Sequence, residues 1–191
     1  MRAPSILAAI SALFLSACST AGNPLGGLDT RQNAGPCPTA GALYEASRVV
    51  EFEETDADVV GYRNITFSGE ITGVRLYCRY VEDDPLLAEI EIDFSLGKGQ
   101  AGSANTKQYT YWVAVMRRNS RVLEKQYFTI DADFRRERIV TKRELVNRIF
   151  IPRVDRTISG ANFEVLVGFE LTEDQAEFNK QGQRFRLDAG G

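Results

Sequence analysis

Apolar and polar residues alternate along much of the chain, most clearly over residues 88–96. From Ala88 to Leu96 every second residue is apolar, and the residues between are acidic or serine. A period of two places successive side chains on opposite faces of a strand, one toward the core and one toward water. The pattern therefore predicts an amphipathic strand.

A second strand is predicted just upstream, over residues 74–80. The connection between the two strands is a run of acidic residues and a proline, which favour a turn. We predict a hairpin in which Tyr80 pairs with Ala88 and Arg75 pairs with Asp93. A slip of one residue would set apolar side chains against charged ones, so the pattern favours this register.

The same alternation predicts further strands and brings the total to about eight. Strands at this spacing, with no long amphipathic helix between them, are typical of a sandwich or a barrel. We predict an all-β fold, an antiparallel β-sandwich of immunoglobulin-like kind. The further strands are predicted near residues 47–53, 63–70, 107–117, 121–134, 148–152 and 162–171.

One short helix is predicted near the C-terminus, at Thr172–Gln181. Its sequence, TEDQAEFNKQ, begins with a threonine suited to capping, carries acids in the first turn and is followed by Gly182. These are the usual start and stop signals of a helix.

Residues 1–17 have the features of an export signal. A short segment containing Arg2 precedes an apolar stretch that is shorter than the roughly 20 residues of a membrane-spanning helix. The stretch ends in Leu15-Ser16-Ala17-Cys18, which resembles the lipobox of bacterial lipoproteins. The resemblance implies cleavage before Cys18, a diacylglyceryl group on its thiol and acylation of the new amino terminus. An ordinary cleaved signal is the alternative.

Ser19 follows the lipobox cysteine, where the enteric sorting rule for inner-membrane retention has an aspartate. The resemblance therefore implies a lipid anchor at the periplasmic face of the outer membrane. Residues 18–36 are rich in Gly, Pro, Asn and Ser, so we predict a flexible tether there. The folded domain is predicted over residues 37–191.

Cys37 and Cys78 remain once Cys18 is assigned to the lipid. Outside the reducing cytosol such cysteines tend to pair, so we predict a disulfide that ties the start of the domain to the sheet. A redox-active pair is the alternative, but the chain has no Cys-x-x-Cys motif.

Beyond its N-terminus the chain resembles a group of small alphaproteobacterial envelope lipoproteins. The resemblance is carried by Cys37-Pro38 and by the stretches ITFSGEITGVRLYCRY, EIEIDFSLGKG, IPR and NFEVLVGFELT. It implies an envelope address and brings no catalytic residues with it.

The chain contains no histidine, which removes much of the usual catalytic chemistry. Histidine is the common general base of serine and cysteine hydrolases and a frequent metal ligand. Gly97, Gly99 and Gly102 spell G-x-G-x-x-G, but the residues that follow have strand character, whereas a dinucleotide site needs a helix there. We predict no catalytic residue, no metal site and no cofactor.

Charge is divided along the chain, with acids in excess over residues 40–100 and bases in excess over residues 101–160. The excess of bases predicts a surface that binds an anionic partner. The alternative is that the acidic and basic strands pair across their solvated faces. Nucleic acid is not predicted as a partner, because the net charge is −3 and the N-terminus signals export. The basic residues predicted to meet an anionic partner are Arg135, Arg136, Arg138, Lys142 and Arg143.

These observations predict a non-enzymatic binding or assembly module that is anchored in the outer membrane and faces the periplasm. The predicted partner is an envelope protein or an anionic glycolipid. Two alternatives stay open: an envelope enzyme that uses carboxylates or a Ser-Lys pair, and a purely structural lipoprotein.

Overall fold

The computed structural model describes residues 35–53, 61–80, 85–154 and 157–182. These residues contain eight strands, one α-helix and three short 3₁₀ turns. The strands are β1 (Thr39–Ala42), β2 (Arg48–Phe52), β3 (Ile65–Arg79), β4 (Leu86–Lys98), β5 (Thr106–Arg117), β6 (Val122–Asp133), β7 (Ile139–Ile151) and β8 (Phe163–Phe169). The helix α1 is Glu173–Lys180, and the 3₁₀ turns are Tyr44–Ala46, Tyr62–Asn64 and Gly160–Asn162.

The strands form two four-stranded sheets that pack face to face. The first sheet has the order β1-β8-β5-β6 and the second has the order β2-β3-β4-β7. Neighbouring strands are antiparallel except β1 and β8, which run parallel. The predicted antiparallel β-sandwich with about eight strands and a short C-terminal helix is confirmed. It has the two-sheet architecture of immunoglobulin domains, with a strand order of its own.

The core lies between the sheets and follows the alternation in the sequence. Along β4, Ile90, Ile92 and Leu96 are fully buried, whereas the acidic residues between them are partly exposed. Val165 and Val167 on β8 belong to the same buried cluster. Each such side chain stabilises the fold by roughly 1.5–3 kcal/mol relative to leaving it in water.

The predicted register of the β3–β4 hairpin is wrong by two residues. Cys78 rather than Tyr80 lies opposite Ala88, and Arg75 lies opposite Glu91. Alternation decides which face a side chain takes, and a shift by two residues leaves every side chain on its face. Arg75 still forms the predicted ion pair with Asp93, but diagonally across the strands.

Three strand boundaries also differ from the prediction. The predicted strands 63–70 and 74–80 form one continuous strand, β3, which passes its two glycines without a break apart from a bulge before Gly73. β7 begins at Ile139, well before residue 148. The prediction missed its first part because both of its faces carry polar residues, so the sequence shows little alternation there. β1 was not predicted, since its sequence TAGA has no alternation.

The predicted disulfide is present between Cys37 and Cys78, whose Cα atoms lie 5.7 Å apart. It ties the residues just before β1 to the end of β3. Beside it, the hydroxyl of Tyr80 donates a hydrogen bond to the carbonyl of Pro36 and accepts one from the amide of Gly160, each at 2.7 Å. The start of the domain is therefore held by a covalent bond and by a shared hydroxyl.

The predicted C-terminal helix is confirmed as α1. The hydroxyl of Thr172 accepts a hydrogen bond from the amide of Gln175, and the Gln175 side chain accepts one from the amide of Thr172. Gly182 follows with φ +71°, a conformation that glycine adopts at helix ends. At the other terminus, the export signal, Cys18 and the tether up to residue 34 lie outside the described residues.

Candidate functional site

The basic residues of the turn between β6 and β7 are bonded mostly to the chain itself. The guanidinium of Arg135 donates hydrogen bonds to the carboxylate of Asp133, at 2.9 Å from Nε. Arg138 donates from Nη2 to the carbonyl of Gly99 at 2.6 Å. Arg136 is exposed between them.

The two basic residues at the start of β7 lie on opposite faces of the second sheet. Arg143 donates to Asp93 at 2.7 Å and, with Arg75, forms a network of ion pairs with Asp93 and Glu91 on the outer face. The guanidinium groups of Arg143 and Arg75 lower the pKa of Asp93. Lys142, the residue before Arg143, points to the inner face. The five predicted basic residues therefore do not form one surface, because three lie in the turn and two lie on opposite faces of the second sheet.

The glycine motif at the end of β4 allows the chain to pack closely against β3. The strand β5 follows it, as predicted, so no helix begins there. The amide of Gly99 donates to the carbonyl of Thr66 at 2.8 Å, and a Cβ at Gly99 would lie 2.0 Å from the carbonyl oxygen of Ile65. Glycine is required because this loop lies directly on the backbone of β3.

Two of the four edge strands, β1 and β2, are well protected. Edge strands carry unpaired backbone groups that attract other strands, and proteins usually shorten or cover them. β1 has only four residues. β2 is covered by α1, where Asn179 donates a hydrogen bond to the carbonyl of Arg48 at 2.9 Å and Gln175 donates to that of Val50 at 3.4 Å.

The edge of β7 is blunted in two ways. Lys142 and Glu144 lie opposite Phe94 and Ile92, so they occupy positions on the face that points into the sandwich. Inward-pointing charges oppose pairing with an added strand. Further along, the register shifts at a bulge beside Arg148, whose φ is +63°.

The edge of β6 is regular over its central part, and no strand among the described residues pairs with its outer side. β6 is the last strand of its sheet and pairs with β5 without a shift from Glu124 to Asp133. Phe128, Ile130 and Ala132 alternate along it and belong to or pack on the core. Of the edges in the described part of the chain, this is the one most open to an added strand.

The backbone groups that β6 directs outward follow from its pairing with β5. The amide of Phe134, just after β6, donates to the carbonyl of Asn105, just before β5, at 2.7 Å. Alternate residues of an antiparallel strand bond to the same neighbour, so the even-numbered residues of β6 pair with β5. The odd-numbered residues Tyr127, Thr129 and Asp131 therefore direct their N–H and C=O groups to the free edge.

A groove lies between the edge strands β6 and β7. Its larger part has a volume of about 560 Å³, within the range of sites that accept ligands. A hollow of about 370 Å³ lies further along the same two strands. The larger part is lined by residues that include Tyr111, Phe128, Thr129, Glu144 and Val146, and the hollow by residues that include Asp131, Ala132 and Lys142.

Tyr111 lines this groove with a hydroxyl that has no hydrogen-bond partner among the described residues. Only 1% of the residue is exposed, and its ring stacks on Phe128 with the centroids 5.4 Å apart. Burial, with the negative charge of Glu144, raises the pKa of Tyr111 above its ordinary value, so the hydroxyl keeps its proton. The hydroxyl oxygen is not sealed from water but opens onto the groove, where it is available to a ligand that offers a polar atom.

Lys142 and Glu144 line the same groove, and neither has an ion-pair partner in the part of the chain that the structure describes. They are two residues apart on β7, which separates them by about 6.6 Å along the strand. The groove therefore offers a positive charge, a negative charge and a free hydroxyl beside an open backbone edge. We take this groove with the edge of β6 as the candidate site.

Of the candidate site, only Lys142 was among the residues predicted from the sequence. A signal for the others exists in the sequence of β7, where Lys142 and Glu144 take two successive inward positions between Val140 and Val146. Charged residues at core-facing positions mark an edge strand or a site. The signal was hidden because most of β7 was not recognised as a strand.

Comparison with protein families, with curated proteins and with solved structures finds no match to this chain. Among the described residues, no three acidic or cysteine side chains come together as a group that could hold a metal ion. None of the described helices is long and apolar enough to cross a membrane.

Proposed function

We propose that this chain is a non-enzymatic binding module, anchored by a lipid on Cys18 to the periplasmic face of the outer membrane, and that its partner is an envelope protein. The observation that carries the proposal is the open edge of β6 beside a groove with unpaired polar groups. The lipobox Leu15-Ser16-Ala17-Cys18 supports the anchor. The disulfide and Tyr80 hold the start of the domain, where the tether would join.

A protein fits this site better than an anionic glycolipid. Arg135, Arg138 and Arg143 already donate to acceptors within the chain. The residues that line the groove and its hollow include two bases, Lys107 and Lys142, and three acids, Asp131, Asp133 and Glu144, so an anion gains no net attraction from them. An exposed strand edge, in contrast, matches the N–H and C=O groups of another polypeptide.

The proposal is tested by affinity capture from gently solubilised membranes after crosslinking. The groove variant exchanges two charges, Lys142→Glu with Glu144→Lys, and keeps the net charge. The matched control, Arg79→Glu with Glu89→Lys, makes the same exchange on the outer face of the second sheet. We expect a protein that the native chain and the control capture and the groove variant loses.

Two further variants separate the parts of the proposal. Cys18→Ser should release the chain from the membrane fraction and leave capture in solution intact. Replacement of Arg135, Arg136 and Arg138 by alanine should not change the captured protein. Loss of capture only in this triple variant would favour an anionic partner, and capture of no protein by any sample would overturn the proposal.

A further inference from the structure

We infer that the groove receives an extended segment of the partner, which adds as a strand to the free edge of β6 and places an acidic side chain opposite Lys142 and a basic one opposite Glu144. The inference rests on the proposed function and specifies how the same site binds. It commits to one mode, strand addition, and to one strand, β6.

The backbone selects β6 rather than β7. β6 offers outward N–H and C=O groups at Tyr127, Thr129 and Asp131, in a stretch without a bulge. On β7 the register is regular from Ile139 to Val146 and shifts at the bulge beside Arg148. An added strand gains its affinity from backbone hydrogen bonds and its specificity from alternate side chains. β6 stays in register over the ten residues Glu124–Asp133, whereas the regular stretch of β7 is shorter and turns two charged side chains, Lys142 and Glu144, to its inner face.

The inward side chains of such a strand would meet the groove at close range. They lie opposite Phe128, Ile130 and Ala132, whose own backbone groups pair with β5. Such positions are the non-hydrogen-bonded pairs of an antiparallel ladder, where Cα atoms are about 4.5 Å apart. Every second side chain of the partner would therefore enter the space between the sheets.

The charges of Glu144 and Lys142 determine which side chains the partner strand should place at these inward positions. Glu144 and Lys142 are spaced by two residues, which equals the repeat of inward positions on a strand. A basic side chain opposite Glu144 also donates to the unpaired hydroxyl of Tyr111, which burial keeps protonated and able to accept. An acidic side chain opposite Lys142 completes the pattern.

The direction of β6 sets the order of the two charges. β6 runs from the part of the groove at Glu144 toward the hollow at Lys142. Antiparallel pairing is the more stable arrangement, so the partner strand runs the other way. It meets Lys142 first and Glu144 second, which predicts the order acid, any residue, base.

The experiment measures binding of a synthetic peptide to the mature full-length chain in detergent. The probe is a labelled ten-residue peptide of alternating valine and threonine that carries Asp and Lys at two successive inward positions. One control peptide reverses the order to Lys and Asp. A second control is N-methylated at the amides that would face β6, which keeps its side chains and removes its backbone donors.

We expect the N-methylated peptide to bind about tenfold more weakly or worse, because several backbone hydrogen bonds are lost. The exchange Lys142→Glu with Glu144→Lys should reverse the preference between the two charge orders. Thr129→Pro should weaken binding, since it removes an outward N–H that β5 does not use, whereas Thr129→Ala should not. Thermal unfolding of each variant separates lost binding from lost folding.

Equal binding of the native and N-methylated peptides would overturn strand addition, and so would failure of every peptide to bind. An unchanged preference in the charge-exchange variant would overturn the assignment of Lys142 and Glu144. If membrane capture still depends on these residues while the peptides fail, the proposed function stands and only the strand-addition mode falls.

Discussion

The amide of Gly160 donates a hydrogen bond to the hydroxyl of Tyr80 at 2.7 Å. The same hydroxyl donates to the carbonyl of Pro36 at 2.7 Å, so one side chain satisfies two backbone groups that lie far apart in the sequence. Gly160 leaves no room for a side chain, since a Cβ there would lie 2.7 Å from both of these oxygens.

The substitution Tyr80→Phe therefore destabilises the fold by leaving two backbone groups without a partner. We expect the free energy of unfolding to fall by about 1–3 kcal/mol, measured by urea denaturation. Tyr77→Phe is the matched control, because Tyr77 is 56% exposed. Equal effects of the two substitutions would show that the shared hydroxyl contributes nothing specific.

The glycine motif gives a second prediction about stability. A Cβ at Gly99 would lie 2.0 Å from the carbonyl oxygen of Ile65, whereas a Cβ at Gly41 has nothing within 4 Å. Gly99→Ala should lower the free energy of unfolding by at least about 2 kcal/mol, because backbone must move. Gly41→Ala should change it by less than about 0.5 kcal/mol. A tolerated alanine at position 99 would contradict the close contact with β3.

The disulfide between Cys37 and Cys78 closes a loop with a sequence separation of 41 residues. In the chain-entropy model, a loop of this length is worth about 4 kcal/mol of stability. Replacement of both cysteines by alanine should lower the unfolding free energy by about that amount in chemical denaturation. Cys18→Ser should have no such effect, and a comparable loss in that variant would contradict the pairing.

Acid pH should reveal the ion pair of Arg135 and Asp133. Hydrogen bonds from Arg135 lower the pKa of Asp133 to about 2. Because the folded pKa is depressed, the pair's stabilisation is present above the unfolded pKa of about 3.9 and is lost as the pH falls toward 2. NMR titration of the carboxyl carbon should show a higher midpoint in Arg135→Gln. An unchanged midpoint would mean that the pair does not form in solution.

The sequence predicted those features that depend on local patterns. The strand at 88–96, the capped helix after Thr172 and the disulfide each follow from signals within a short stretch or from the count of cysteines. The register of β3 and β4 was not predictable in the same way. A shift by two residues preserves the faces, and the bulge before Gly73 leaves no mark in the alternation.

The candidate site could not be predicted from the sequence, because it depends on which strand has no pairing partner on one side. Nothing in the sequence of β6 says that it ends its sheet, and its position follows from the order of all eight strands. Tyr111 reads as an ordinary core residue, and its free hydroxyl is visible only when its neighbours are known. The basic residues were prominent in the sequence, but the structure pairs Arg135 and Arg143 with nearby carboxylates.

The central claim is that the free edge of β6 receives a strand, and amide hydrogen exchange tests it most directly. In the free protein, the amides of Tyr127, Thr129 and Asp131 should exchange quickly, whereas those of Phe128 and Ile130 are already protected by β5. Addition of the peptide with Asp before Lys should slow exchange at the three odd-numbered residues alone within this stretch. Protection along β7 instead, or unchanged exchange at saturating peptide, would contradict the account.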